Sequence, residues 1–225
     1  MSLEFILYNI IGSLLNTGVV LSISYYYLPR STKLQQFFKT YWGIFHPNVI
    51  SSWRGIAGPI FGYIIYNNLH TMSQIELTCL IQIIVYLANT DALDGKVAQY
   101  CNMKTEIGKS FDALCDKLFD LPILLALSYH RHEDLCIMIC VIGFVDIVGQ
   151  SLRSRMNNPA AERVGKTKTC FKFISMIVLF LYVLSSDIQS WGLISSIVLY
   201  CIVLFSLVFA IWSMGIKLKN SSIFA

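Results

Sequence analysis

The chain has 225 residues, of which 56% are hydrophobic and only 13% charged, and its mean hydropathy is +0.62. A soluble domain of this size carries far more charged surface, so the composition excludes one and points to a multi-span membrane protein. The formal net charge of +4 is the basic rim of such a protein and requires no nucleic acid partner.

The first apolar stretch, residues 3–28, begins with Glu4 rather than Lys or Arg, and no small-residue cleavage site follows it. It therefore reads as a retained helix and not a cleaved leader. Across residues 31–46, Leu34, Phe37, Phe38, Tyr41, Trp42 and Phe45 recur at helical spacing against Lys33, Gln35, Gln36 and Lys39. That pattern predicts an amphipathic helix lying in the membrane interface. Six further apolar stretches follow, at about 48–68, 74–95, 108–129, 134–152, 169–186 and 190–214. Each is long enough to cross the roughly 30 Å of hydrocarbon in a bilayer.

If the segment between the first two stretches is cytoplasmic and the chain alternates from there, all but Arg131 of the 17 Lys and Arg residues fall on or near one side. The positive-inside rule then sets the amino terminus outside and the carboxy terminus inside. The expected fold is all-α, a polytopic membrane helix bundle. Its parts are an extra N-terminal transmembrane helix (1–30), an interfacial helix (31–47), a six-helix membrane domain (48–216) and a cytoplasmic tail (217–225). The extra helix is expected at the periphery of the bundle, or as an interaction element. The seven cysteines lack metal-ligand spacing and read as packing residues, without a disulfide or zinc.

Four aspartates break this apolar background. A carboxylate at the centre of a membrane helix costs roughly 2.5–3.5 kcal/mol on insertion scales, so four of them demand compensation. Asp91 and Asp94 are three apart near the cytoplasmic end of the third stretch, and Asp112 and Asp116 are four apart at the start of the fourth. Residues three or four apart share a helix face, so two antiparallel helices joined by a short turn bring both acidic pairs together. Four hard oxygen ligands of this kind suit Mg²⁺ or Mn²⁺. Gly95 and Gly108 bracket the turn and Ala98 lies one turn beyond Asp94, leaving room for a flat ring or a phosphate beside the backbone. The residues alone also admit an ion pathway, the other common use of intramembrane carboxylates. Asp120 reads as support for this face, and Asp146, with Gln150, as an interhelical hydrogen-bonding group.

The run from Asp91 to Gln99, an eight-residue gap, and the run from Gly108 to Asp116 resemble the signature of the CDP-alcohol phosphatidyltransferases, D-x2-D-G-x2-A-R-x8-G-x3-D-x3-D. Seven of the eight fixed positions agree; Gln99 stands where the family has Arg. The resemblance implies a six-helix core and transfer of a phosphatidyl group from CDP-diacylglycerol to an alcohol, with release of CMP. It further implies two divalent ions, Mg²⁺ or Mn²⁺, on Asp91, Asp94, Asp112 and Asp116, with Asp116 also the catalytic base. Gly95, Ala98, Gln99 and Gly108 fall at the cytidine pocket. Family members are commonly homodimers, so the resemblance implies a homodimer, while hydropathy and charge distribution predict an integral multi-pass protein of a bacterial inner membrane or an organelle, its active site toward the cytoplasm. A relative that only binds the CDP-lipid is the alternative raised by Gln99.

Two further stretches bear on the acceptor. Ser151–Arg155 and Arg163–Thr169 concentrate cations and hydroxyls on the side of the aspartates, a chemistry suited to an acceptor phosphate. The Gly165–Thr169 run resembles that of phosphatidylglycerophosphate synthases, as do Asp112–Lys117 and Pro47–Arg54, whereas Ser151–Arg155 is closer to the inositol-phosphate branch. The resemblance thus implies glycerol 3-phosphate as acceptor, with Arg153, Arg155, Lys166 and Lys168 binding its phosphate. Phosphatidylglycerol and inositol phosphate are the alternatives.

Overall fold

Among the residues described by the structure, a computed structural model covering 3–103, 105–130, 133–153 and 192–219, every regular element is a helix. Helix α1 (Leu3–Leu21) continues through a π-helical stretch, Ser22–Tyr27, into α2 (Leu28–Arg30). Then come α3 (Thr32–Thr40), α4 (Trp42–Phe45), α5 (Pro47–Asn68), α6 (Gln74–Tyr100), α7 (Glu106–Tyr129), α8 (Glu133–Arg153) and α9 (Gly192–Lys219). Six of the seven expected apolar stretches coincide with these helices; the stretch at 169–186 lies outside the described residues.

Among the described residues two helical stretches, Glu4–Arg30 and Gln74–Tyr100, are both long enough and apolar enough to cross a membrane, and a shorter apolar stretch covers Tyr200–Gly215. Helix α7 has the length, but Asp112, Asp116, Lys117 and Asp120 charge its first two thirds. Exposed apolar side chains line α1 (Leu7, Ile11, Leu14, Leu15) and α9 (Leu204, Val208, Ile211). Water penalises such surfaces and hydrocarbon does not.

The chain divides into two units, Met1–Asp120 and Leu121–Ala225. In the first, local chemistry fixes where each helix starts and stops. Ser31 Oγ accepts from Leu34 N at the start of α3, and His46 Nδ1 accepts from Asn48 N ahead of Pro47 at the start of α5. Ser73 and Glu76 form a reciprocal capping box on α6, satisfying amide groups that would otherwise lack partners. At the other end of α6, Met103 N reaches Ala98 O while Asn102 takes a positive φ of 59°. This is a left-handed C-terminal cap, for which Asn is the natural residue after Gly. Thr105 Oγ1 then accepts from Gly108 N to open α7.

The amphipathic segment is helical but breaks at Tyr41 into α3 and α4. Its Phe38 is buried with Leu28, Val97 and Cys101, packed round by Leu34, Phe45 and Leu93, so α3 docks on the last turns of α6. Helix α1 runs along the earlier turns of α6. Between them Asn9 pairs with Thr78, and Asn89 with Thr17. Because the paired positions advance together, α1 and α6 run parallel, while α5, joined to α6 by a short turn, runs antiparallel.

Helices α5 and α7 approach closely where α5 has no side chain. A Cβ on Gly55 would lie 3.1 Å from Cys115 Sγ, and one on Gly58 would overlap the Leu118 carbonyl oxygen and Phe119 Cα. That carbonyl has no helical donor four residues on, because Pro122 lacks an N–H. In the second unit α8 lies along α9, Tyr200 donates to Asp134, and Asp146 is buried in α8. Since only backbone faces position 58, Gly58→Ala must spread α5 from α7. Overpacking of this kind costs about 1–3 kcal/mol, so thermal unfolding in detergent should show a clearly lowered melting temperature, with Gly95→Ala, which meets open space, as the unaffected control.

Candidate active site

Three helices of the first unit build the site: α5 contributes Ser51 and Arg54, α6 contributes Asp91 and Asp94, and α7 contributes Asp112 and Asp116. The sequence-predicted convergence of the two acidic pairs is present. At its centre stands a group that helical spacing alone did not single out. Arg54, only 1% exposed, holds Nη2 2.6 Å from Asp116 Oδ1, 2.7 Å from Asp112 Oδ1 and 3.6 Å from Asp94 Oδ2, with Nη1 3.3 Å from Asp91 Oδ1. Ser51 Oγ lies 3.1 Å from Asp94 Oδ2 and 3.0 Å from Asp112 Oδ1, and also 2.9 Å from the Pro47 carbonyl. Its single proton serves one of these acceptors at a time. The signal for both residues was in the Pro47–Arg54 run, since an arginine in an apolar helix needs a carboxylate partner.

The four aspartates are not equivalent. Asp94 is buried, its side chain 3% exposed, whereas those of Asp91, Asp112 and Asp116 are 55%, 36% and 35% exposed. The open three each offer an oxygen, and these lie within 4.8 Å of one another. Such a set of hard oxygens fits Mg²⁺ or Mn²⁺, with water or a ligand phosphate completing the shell. Four carboxylates face one guanidinium, so the site keeps an excess of negative charge that a divalent cation would balance. Among the described residues Arg54 Nε meets no hydrogen-bond acceptor, while Nη1 is held by its ion pair with Asp91.

Of the remaining expected site residues, Gly95, Ala98 and Gln99 lie on α6 and Gly108 on α7. Gly95 is exposed and open, Ala98 half-buried and Gln99 exposed. Gly108 is buried, and a Cβ there would come within 2.7 Å of Thr105 Oγ1 and 2.8 Å of Asn48 Oδ1, so its smallness seats α7 against the start of α5. Lys96 places Nζ 4.4 Å from the centre of the Tyr25 ring, a cation–π contact. Arg153 ends α8, and Arg155, Lys166 and Lys168 lie outside the described residues.

A family model for CDP-alcohol phosphatidyltransferase matches residues 44–212, and the chain belongs to that family. The chain is similar to the CDP-diacylglycerol–glycerol-3-phosphate 3-phosphatidyltransferase of Aquifex aeolicus, 29% identical over 136 residues that cover 58% of this chain and 72% of that protein. No solved structure matches it.

Removing one partner of a buried ion cluster leaves the others uncompensated, at a cost of about 3–5 kcal/mol. Arg54→Met should therefore lower the melting temperature in EDTA-containing detergent. Adding Asp94→Asn, which deletes the buried carboxylate, should restore part of that loss; no recovery would mean that the two charges do not interact.

Proposed function

We propose that the protein transfers the phosphatidyl group of CDP-diacylglycerol to glycerol 3-phosphate, giving phosphatidylglycerophosphate and CMP. The observation that carries this reading is the convergence of Asp91, Asp94, Asp112 and Asp116 around one point in a chain of this family. The choice of acceptor is supported by the name of the Aquifex aeolicus relative and by the Gly165–Thr169 run.

The acceptor hydroxyl oxygen attacks the phosphorus of the phosphatidyl phosphate, and the bond from that phosphorus to the CMP oxygen breaks. Asp116, partly open to the site, takes the proton that the hydroxyl loses. Divalent ions held by Asp91, Asp94, Asp112 and Asp116 would supply the neutralisation of charge on the departing phosphate. Arg54 keeps Asp94, Asp112 and Asp116 aimed at one point, and Ser51 adds a hydroxyl between Asp94 and Asp112. The open backbone at Gly95 admits the cytidine, with Ala98, Gln99 and Gly108 completing its pocket. Arg153, Arg155, Lys166 and Lys168 receive the acceptor phosphate.

The protein is on this reading a multi-pass membrane homodimer with a six-helix core, its amino terminus outside and its site toward the cytoplasm. The parallel course of α1 and α6, with α5 antiparallel, is what alternating spans require.

The test is CMP release by purified protein from CDP-diacylglycerol with Mg²⁺ or Mn²⁺, across glycerol 3-phosphate, inositol phosphate and phosphatidylglycerol. Stimulation by glycerol 3-phosphate is expected, with Asp112→Asn reducing it by roughly 100-fold or more. Stimulation by another acceptor alone would reassign the alcohol, and release unaffected by Asp112→Asn would remove the site. Gln99→Arg, which adds a forked cation at an exposed position, should lower the KM for CDP-diacylglycerol several-fold. An unchanged KM would mean that this side chain lies off the diphosphate.

A further inference from the structure

Helix α1 precedes the family match, which begins at residue 44, so the shared chemistry does not require it. A simple anchor needs only apolar side chains, and Leu7, Ile11, Leu14 and Leu15 provide them on its exposed face. Its other face is polar. Asn9, Gly12, Ser13, Asn16 and Thr17 follow the spacing of one helical stripe, and that stripe meets Thr78, Gln82 and Asn89 of α6.

The contacts are directional. Asn9 Nδ2 donates to Thr78 Oγ1 at 3.3 Å and Asn16 Nδ2 to the Gln82 carbonyl at 3.2 Å. Gln82 Nε2 reaches back to the Asn9 carbonyl at 3.2 Å and to Ser13 Oγ at 3.3 Å, and Asn89 Nδ2 donates to Thr17 Oγ1 at 2.9 Å. A Cβ on Gly12 would lie 3.0 Å from Gln82 Nε2, so the amide rests on bare backbone. Farther along, the Lys96 ammonium sits over Tyr25. Apolar packing alone tolerates rotation and sliding, whereas these pairs break together if α6 turns or shifts by one residue.

Positions 78, 82, 89 and 96 form one stripe of α6. At about 100° per residue, Asp91 and Asp94 lie on the opposite side of the helix. The acidic face of α6 is pushed away from the carboxylates of α7 by like charge, and the seam grips its back. Taking Asp91 and Asp94 as part of the metal site, as the proposed function does, we propose that α1 is a positioning element of that site. Gln82 and Asn89 are the positioning residues through which it fixes the register of α6.

The test uses the full-length protein in detergent, reading Mn²⁺ affinity by electron paramagnetic resonance beside CMP release and thermal stability. Thr17→Val and Asn89→Leu should each weaken Mn²⁺ binding by about 3- to 10-fold and lower kcat at subsaturating Mn²⁺, with the KM for CDP-diacylglycerol unchanged. The double variant should be no worse than either single one, and Thr17→Ser, which keeps the hydroxyl, should behave as wild type. Variants that melt earlier yet bind Mn²⁺ like wild type when folded would overturn the inference and leave α1 a structural support. Seam-dependent Mn²⁺ binding in a protein that releases no CMP with any acceptor would sink the proposed reaction and uphold the positioning role.

Discussion

A guanidinium enclosed by four carboxylates sets the terms for the rest of this molecule. Arg54 is buried on α5 while its partners come from α6 and α7, so three helices must meet within the reach of one side chain. Buried ions are stable only when their partners are held in good geometry. The surrounding sequence supplies that geometry. Gly55 and Gly58 let α7 lie against the backbone of α5, and Gly108 lets the start of α7 close on Asn48. The capping box at Ser73 and the left-handed turn at Asn102 set the ends of the helix that carries Asp91 and Asp94.

The same cluster explains why the site is suited to chemistry rather than to structure alone. One arginine cannot neutralise four aspartates, and the three more exposed carboxylates are the ones whose oxygens gather within 4.8 Å. The buried Asp94, within reach of Ser51 and Arg54, closes the set on its inner side. On the proposed function, charge left over on the open side would draw a divalent cation and, through it, a diphosphate.

Much of this was legible in the sequence. Helix positions followed from apolar runs, and the two aspartate pairs could be brought together because i, i+3 and i, i+4 spacing survives any packing arrangement. Arg54 was not assigned to the site, because which face of α5 turns toward α6 depends on Gly55 and Gly58 meeting α7, a tertiary matter that periodicity does not encode. The docking of α1 was hidden for a similar reason. Asn9, Asn16 and Thr17 announce a polar face, but their partners lie 66 to 72 positions away, and only the packed helices identify them. The contact of Lys96 with Tyr25 likewise joins residues that no local pattern pairs.

The proposed chemistry requires the carboxylates to form a metal centre beside Arg54. Its most direct test is anomalous diffraction from crystals of the protein grown with Mn²⁺. Manganese density is expected among Asp91, Asp94, Asp112 and Asp116, with the Arg54 guanidinium still beside them. Manganese bound elsewhere, or a cluster that remains closed by Arg54 alone at saturating Mn²⁺, would contradict it.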